Sequence, residues 1–374
     1  MKIGAIIAEF NPFHAGHKYI IDKIREDCDA VIAIMSGNFV QRGECSIFDK
    51  AERTRVALQR GVDLVLELPC VYALSSAEGF SRGAVSILNA TGVIDSLYFG
   101  SECGDIKILT GIAKALNNET PAFKNALEEK LREGASFPAA RNYALSKTNP
   151  DAEALNMPNN ILAVEYIRAL DKLSSQITPC TIKRLGSGYN DTEIKEGFAS
   201  ASAIRALLSE GRCADSFTDC KGTPLFMKDF DMIVSSRVKS ATKEELCAVP
   251  DCNDELASRI LSATKHNSFT EIVADVSCKN YTQSRIRRIL CNLIIGNRFS
   301  SIPDPTYMRV LGFSKTGSEI LTKMKSTTSL PVIARGALLK DDAVFNLECR
   351  ATDIYNLTRG IPGGKEFSFT PIYF

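Results

Sequence analysis

The sequence predicts a doubly wound α/β fold followed by a mainly helical portion. Over the first hundred residues, short and nearly continuous apolar runs alternate with amphipathic helical stretches. Strands that are apolar on both sides belong in a parallel sheet covered by helices on both faces. From about Lys228 the pattern changes to short helices, and lysine and arginine gather between 276 and 325.

The elements follow in order. IGAIIA (3–8) reads as a strand, GHKYIIDKIRED (16–27) as a helix and DAVIAIMSG (29–37) as a second strand. FDKAERTRVALQRG (48–61) is helical, with Asp49 as N-cap and Gly61 as the stop. VDLVLELP (62–69) and DSLYFGSE (95–102) are strands on either side of the helix SSAEGFSRGAVSILNATG (75–92). Helices dominate from Asp105 to about Ala144, and MPNNILAVEYIRAL (157–170) is another. SQITPCTIKRLG (175–186) adds a strand, GSGYND a loop, and SASAIRALLSEG (200–211) a helix. A boundary near 222–230 divides the chain into 1–225 and 226–374, the second part helical and basic.

Composition narrows the class. A net charge of +1 makes no whole-chain case for nucleic acid, so any basic footprint is local. No apolar run approaches the roughly 20 residues that span a membrane, and Glu9 interrupts the first one before it reaches signal-peptide length. A cytoplasmic protein with no membrane and no DNA partner is expected. Twelve cysteines include no CxxC pair. They read as reduced, largely buried thiols, and no resident metal is expected.

The chain has three histidines, and two of them, His14 and His17, lie in AEFNPFHAGH directly after the first strand. In doubly wound sheets ligands bind at the carboxyl ends of strands, and a helix N-terminus attracts anions. Imidazoles three residues apart in a first turn can both donate to phosphate oxygens. Gly16, lacking a Cβ, would let a base or backbone approach. The alternatives are two core histidines or a metal pair, but a metal needs further ligands and His266 is remote. No GxxxxGK[ST] loop occurs.

HAGH resembles the HxGH signature of the nucleotidyltransferase superfamily, whose Rossmann-like domains attack the α-phosphate of ATP. SASAIR (200–205) is similar to that superfamily's [ST]xxxIR element, matching Ser200, Ser202 and Arg205, although it also reads as an ordinary capped helix. In order, EFNPFHAGHKYII, SGNFVQRGE, FDKAERTRVAL, GVDLVLELP, FGSE, MPNNIL, IKRLGSGYND and SASAIR resemble the bacterial tRNA(Met) cytidine acetate ligase family across the whole chain. ECS at 44–46 departs from the Glu-Pro-Ala expected there.

That resemblance implies activation of acetate by ATP to acetyl-adenylate, then acetyl transfer to the exocyclic amine of the wobble cytidine of elongator tRNA(Met). His14 and His17 would be catalytic. Segment 7–20 would wrap the ATP through Ile7, Ala8, Glu9, Phe10, Asn11, Pro12, Phe13, Gly16 and Ile20. Gly100, Asn159 or Asn160, Arg184, Ser202 and Arg205 would complete the site, with one asparagine acting only as an N-cap. Mg2+ would accompany the ATP phosphates. SGNFVQRGE is expected to form the second-substrate loop. Lys50 reads as a solvated helix lysine and Arg42 as a further candidate.

Between 276 and 325 nine basic residues face two acidic ones. YTQSRIRRILCNLIIG reads as a helix with Ile286, Ile289, Leu290 and Leu293 inward and Arg285, Arg287 and Arg288 outward for RNA phosphates. Tyr281 and Tyr307 either stack bases or sit in the core. A small-molecule adenylyltransferase making a dinucleotide coenzyme precursor would account for HAGH and SASAIR but leave this helix unused. A non-catalytic RNA-binding protein would leave the intact His14, Gly16 and His17 without a purpose.

Overall fold

The computed structural model describes residues 1–184 and 199–374. Ten strands are found among them: β1 (Ile3–Ala8), β2 (Ala30–Ser36), β3 (Phe39–Val40), β4 (Glu44–Cys45), β5 (Leu64–Leu68), β6 (Ser96–Ser101), β7 (Thr178–Lys183), β8 (Met308–Phe313), β9 (Val332–Ile333) and β10 (Ile372–Tyr373). The main sheet runs β10-β8-β5-β2-β1-β6-β7, with β9 beside β8, while β3 and β4 form a separate hairpin. Strand β1 pairs in parallel with both β2 and β6. The chain moves outward through β2 and β5, then returns to the other side of β1, so the order reverses at the β1–β6 junction. Ligands of doubly wound sheets sit at such a switch point.

Alternate residues of the strands feed two cores, because successive side chains leave opposite faces. Ile32, Ile34, Leu64 and Leu66 enter one layer. Val31, Ala33, Met35 and Val65 enter the other, against Ile21 and Ile24 of the helix Ala15–Asp27 and Val56 of the helix Lys50–Gln59. Asp49 caps that second helix as expected, accepting from the Glu52 N–H at 2.8 Å. None of the helices searched among the described residues is long and apolar enough to cross a membrane.

The last third of the chain is mainly helical, yet it also returns to the sheet. Strand β8 pairs antiparallel with β5, and β10 lies parallel to β8. The sequence hides β8 because Arg309 is the second residue of MRVLGF and resembles part of a basic stripe. Arg309 is fully buried and so cannot contact RNA. It pairs with Glu67 at 3.3 Å and with Glu366.

Lys50 is likewise no solvated lysine. It is buried among Glu67 at 2.5 Å, Glu348 at 3.3 Å and Glu366. Burial opposes its charge, but Glu366, Glu67 and Glu348 outweigh that and hold its pKa above the ordinary range. Burial also opposes the charge on Glu366, yet Lys50 and Arg309 bring its pKa down to about 2. A buried ion cluster is costly to break from one side, because the partner charges are left uncompensated. Lys50→Met is expected to lower unfolding free energy by about 3–5 kcal/mol, measured by urea denaturation. A loss below about 1 kcal/mol would mean the carboxylates are satisfied without it.

Candidate active site

The site starts where β1 ends. Beyond Ala8 the backbone turns sharply, with Phe10 at a φ of +46°, a region that bulky residues rarely occupy. The turn is held by Arg53, whose guanidinium donates to the carbonyls of Glu9 (2.6 Å), Ser36 (3.0 Å), Phe48 (2.9 Å) and Gly37. Phe10 and Phe13 pack at 5.1 Å and flank the His17 ring at 5.0 and 5.5 Å.

The two histidines cap their own helix. His14 Nδ1 accepts from the Gly16 N–H at 2.9 Å, and His17 Nδ1 accepts from the His14 N–H at 3.2 Å. A ring nitrogen that accepts from a backbone N–H carries no proton, so each neutral ring keeps its proton on Nε2. Desolvation is the largest influence on both. With Arg184 and Arg205 nearby it lowers the His14 pKa to about 4. Desolvation, then His14 and Arg184, hold His17 well below its ordinary value. Both rings are therefore neutral Nε2–H donors at physiological pH, not cations.

Gly16 has a different purpose from the one expected. A Cβ there would come within 2.7 Å of His14 Cε1. The missing side chain makes room for the capping imidazole. Pro12, Phe13 and Gly16 stay behind the cleft surface, whereas Ile7, Ala8, Glu9, Phe10, Asn11, His14, His17 and Ile20 line it.

The same cleft, about 360 Å³ in volume, is lined by Gly100, Asn159, Arg184, Ser202 and Arg205. Gly100 ends β6, and a Cβ there would press on Arg184 Cγ at 3.2 Å. Arg205 donates to the Asn11 carbonyl at 2.9 Å and to Ser202 Oγ at 3.1 Å, tying the second signature to the first. Ser200 is the helix cap, accepting from the Ala203 N–H at 3.0 Å. Neither asparagine of PNN is an N-cap, a position Met157 occupies. The carboxylate of Glu102 receives the N–H groups of Asn159 and Asn160 instead, at 3.2 and 2.9 Å. Asn160 is buried and accepts from the Glu102 N–H at 2.9 Å, which leaves Asn159 facing the cleft. GSGYND lies outside the described residues.

Ala77, Phe80, Leu162 and Tyr166 also line the cleft and escaped the sequence reading. Asn159, Leu162 and Tyr166 share one face of the helix Pro158–Lys172, a helical spacing that could have exposed the last two. Burial pushes the Glu9 carboxyl up, while the Gln41 N–H, Arg42, Arg205 and Arg53 draw it back.

The basic helix Gln283–Ile295 is mostly enclosed, with Ile286 and every residue from Arg288 to Ile295 buried. Arg288 is 9% exposed, so the expected outward position is wrong: the helix crosses the core and presents only its first turn. Arg287 pairs with Glu44 of the hairpin. Gly43, at a φ of +73°, lets that hairpin lie directly on the helix, since a Cβ would stand 2.4 Å from the Arg288 nitrogen. Arg285 is half-buried and donates to the Asp251 carbonyl at 2.7 Å. Tyr281 and Tyr307 are buried.

A reversed strand order, a histidine-capped first helix and a serine–arginine turn meeting at one cleft define a nucleotidyltransferase of the HIGH class. The HIGH Nucleotidyl Transferase family model matches residues 1–365. The tRNA(Met) cytidine acetate ligase of Clostridium novyi is 40% identical over the full length of both chains. That of a Thermoanaerobacter species is 41% identical, covering 96% of this chain and 95% of the relative. The apo crystal structure of Thermotoga maritima TmcAL superposes with a TM-score of 0.94 at 33% identity over all of both chains. The same protein bound with alpha-thio ATP superposes at 0.89 and 32% identity, again over all of both chains. This chain belongs to the tRNA(Met) cytidine acetate ligase family.

The hairpin contact separates two arginines one turn apart. Arg287→Glu is expected to reduce ATP–pyrophosphate exchange, because it sets two carboxylates together under the cleft wall. Arg285→Glu is expected to leave exchange within about twofold of wild type, as surface changes usually do. Equal effects of the two in the exchange assay would remove any link between helix and cleft.

Proposed function

We propose that this chain joins acetate to tRNA at the expense of ATP. An acetate oxygen attacks the α-phosphorus, pyrophosphate leaves with the bonding pair, and acetyl-adenylate remains. The exocyclic nitrogen of the wobble cytidine of elongator tRNA(Met) then attacks the acetyl carbonyl, AMP leaves, and the nitrogen gives up a proton. The single observation that carries this reading is the convergence of His14, His17, Arg184, Ser202 and Arg205 on one cleft at the end of β1. That convergence sits in a chain whose full-length relatives bear this activity in their names.

The roles follow from chemistry. His14 and His17 donate from Nε2 to phosphate oxygens and stabilise charge developing there. As neutral donors with fixed tautomers they need no proton transfer to act. Arg184 and Arg205 neutralise the phosphates, and Ser202 adds a hydroxyl. Gly100 and Asn159 receive the adenosine end. Mg2+ enters with the phosphates. Among the described residues no group of three His, Cys, Asp or Glu side chains is placed to hold it, so no step is assigned to it. Residues 1–225 carry the adenylation chemistry. The helices within 226–374 carry the tRNA, with Arg285 as the phosphate contact on the basic helix, while β8 and β10 complete the sheet. The setting is the cytoplasm, without DNA or membrane.

ATP–pyrophosphate exchange is expected to require acetate and no RNA, and unmodified elongator tRNA(Met) is then expected to gain one acetyl group. Exchange that ignores acetate and follows a nucleotide monophosphate would favour the dinucleotide-forming alternative. His17→Ala should lower exchange by about 100- to 1,000-fold, the usual loss for one transition-state donor, with tRNA binding retained in a filter assay. Undiminished exchange would remove the histidine from the chemistry.

A further inference from the structure

The cleft has two sides, and the nucleotide signatures account for only one. Gly100 and Arg184 lie at the ends of β6 and β7, on one flank of β1. On the flank of β2, the turn of the β3–β4 hairpin contributes Gln41 and Arg42, while the helix Ala77–Ala90 and the helix Pro158–Lys172, which packs on β6, contribute Phe80, Leu162 and Tyr166. This second wall combines a guanidinium with an apolar surface. Phe80 is 3% exposed and Tyr166 5%, so both rings are packed from behind and the wall cannot widen cheaply. The hairpin that carries Arg42 is fixed at both ends. The Gln41 N–H donates to Glu9 Oε1 at 2.7 Å, and Glu44 pairs with Arg287.

We propose that this wall is the acyl subsite. Arg42 receives the carboxylate, Phe80 and Tyr166 close around the methyl group, and the pocket selects a two-carbon acid by length. The inference rests on the acetate-ligase reading and adds the residues that choose the acid. Acetate offers little to recognise, one anionic head and one methyl, and the wall supplies one partner for each. A carboxylate on the β2 flank faces a nucleotide anchored on the β6 flank, with the α-phosphorus between them over the end of β1. One carboxylate oxygen forms the new bond to phosphorus, the bond to the pyrophosphate oxygen breaks, and no proton moves. A packed apolar wall discriminates one methylene by roughly 10- to 200-fold, so propionate is a poor substrate.

The test is ATP–pyrophosphate exchange by the full chain with acetate, propionate and butyrate. Arg42→Gln is expected to raise the KM for acetate about tenfold or more, one charge-assisted contact, with the KM for ATP unchanged. Arg42→Lys should recover part of the loss. Phe80→Leu, and separately Tyr166→Leu, should shift the preference toward propionate by about tenfold. An unchanged acetate KM in Arg42→Gln would overturn the proposal. So would a raised ATP KM alone, or the wild-type acyl preference in both leucine variants. Failure of the unsubstituted chain to use acetate would instead overturn the underlying reading.

Discussion

The guanidinium of Arg53 is the contact on which the site depends. It is completely buried and donates to four backbone carbonyls, those of Glu9, Ser36, Gly37 and Phe48. Those carbonyls belong to the ends of β1 and β2 and to the entry of the helix that carries Arg53 itself. A buried acceptor left without a partner costs about 1–3 kcal/mol. A planar fork with five donors can satisfy several acceptors at once, which a lysine cannot do. With the strand ends fixed, the chain can turn through Phe10 and deliver His14 to the helix N-terminus. The nucleotide loop and the hairpin loop are thus anchored to one side chain.

The remainder of the chain is built onto this frame. The ion cluster joins Lys50 and Glu67 from the first part of the chain to Arg309, Glu348 and Glu366 from the last. Gly43 and Glu44 rest the hairpin on the helix Gln283–Ile295. A helix that presents only its first turn to solvent serves as much to brace the cleft wall as to meet RNA. Glu9 completes the link, since its carboxylate holds the Gln41 N–H while its carbonyl accepts from Arg53.

Much of this was legible in the sequence. Apolar strands alternating with capped helices gave β1, β2, β5 and β6 to within two residues at each end, because burial on both faces leaves little else for such runs to be, whereas β7, which is not buried, was read three residues too long at each end. The site signatures were legible too, since His14, His17, Asn159, Arg184, Ser202 and Arg205 reach the same cleft. Buried charge was not. Lys50, Arg288 and Arg309 read as solvated because a lysine or arginine is rarely buried without a partner, and the partners of Lys50 include Glu348 and Glu366, at the far end of the chain. Gly16 was read for ligand approach alone, and the imidazole that folds over it was not foreseen. The second wall was missed because Phe80 and Tyr166 are indistinguishable from core residues until two helices bring them to one cavity.

The central claim is that one cleft, at the end of β1, holds the activated acyl nucleotide between two neutral histidines and the apolar wall. A crystal structure with an acetyl-adenylate analogue, in which a sulfamate replaces the phosphate, tests it most directly. The sulfonyl oxygens are expected within hydrogen-bond distance of His14 Nε2 and His17 Nε2, with adenosine at Gly100 and Asn159 and the methyl group against Phe80 and Tyr166. An analogue bound elsewhere, or bound in this cleft without touching either imidazole, would contradict the account.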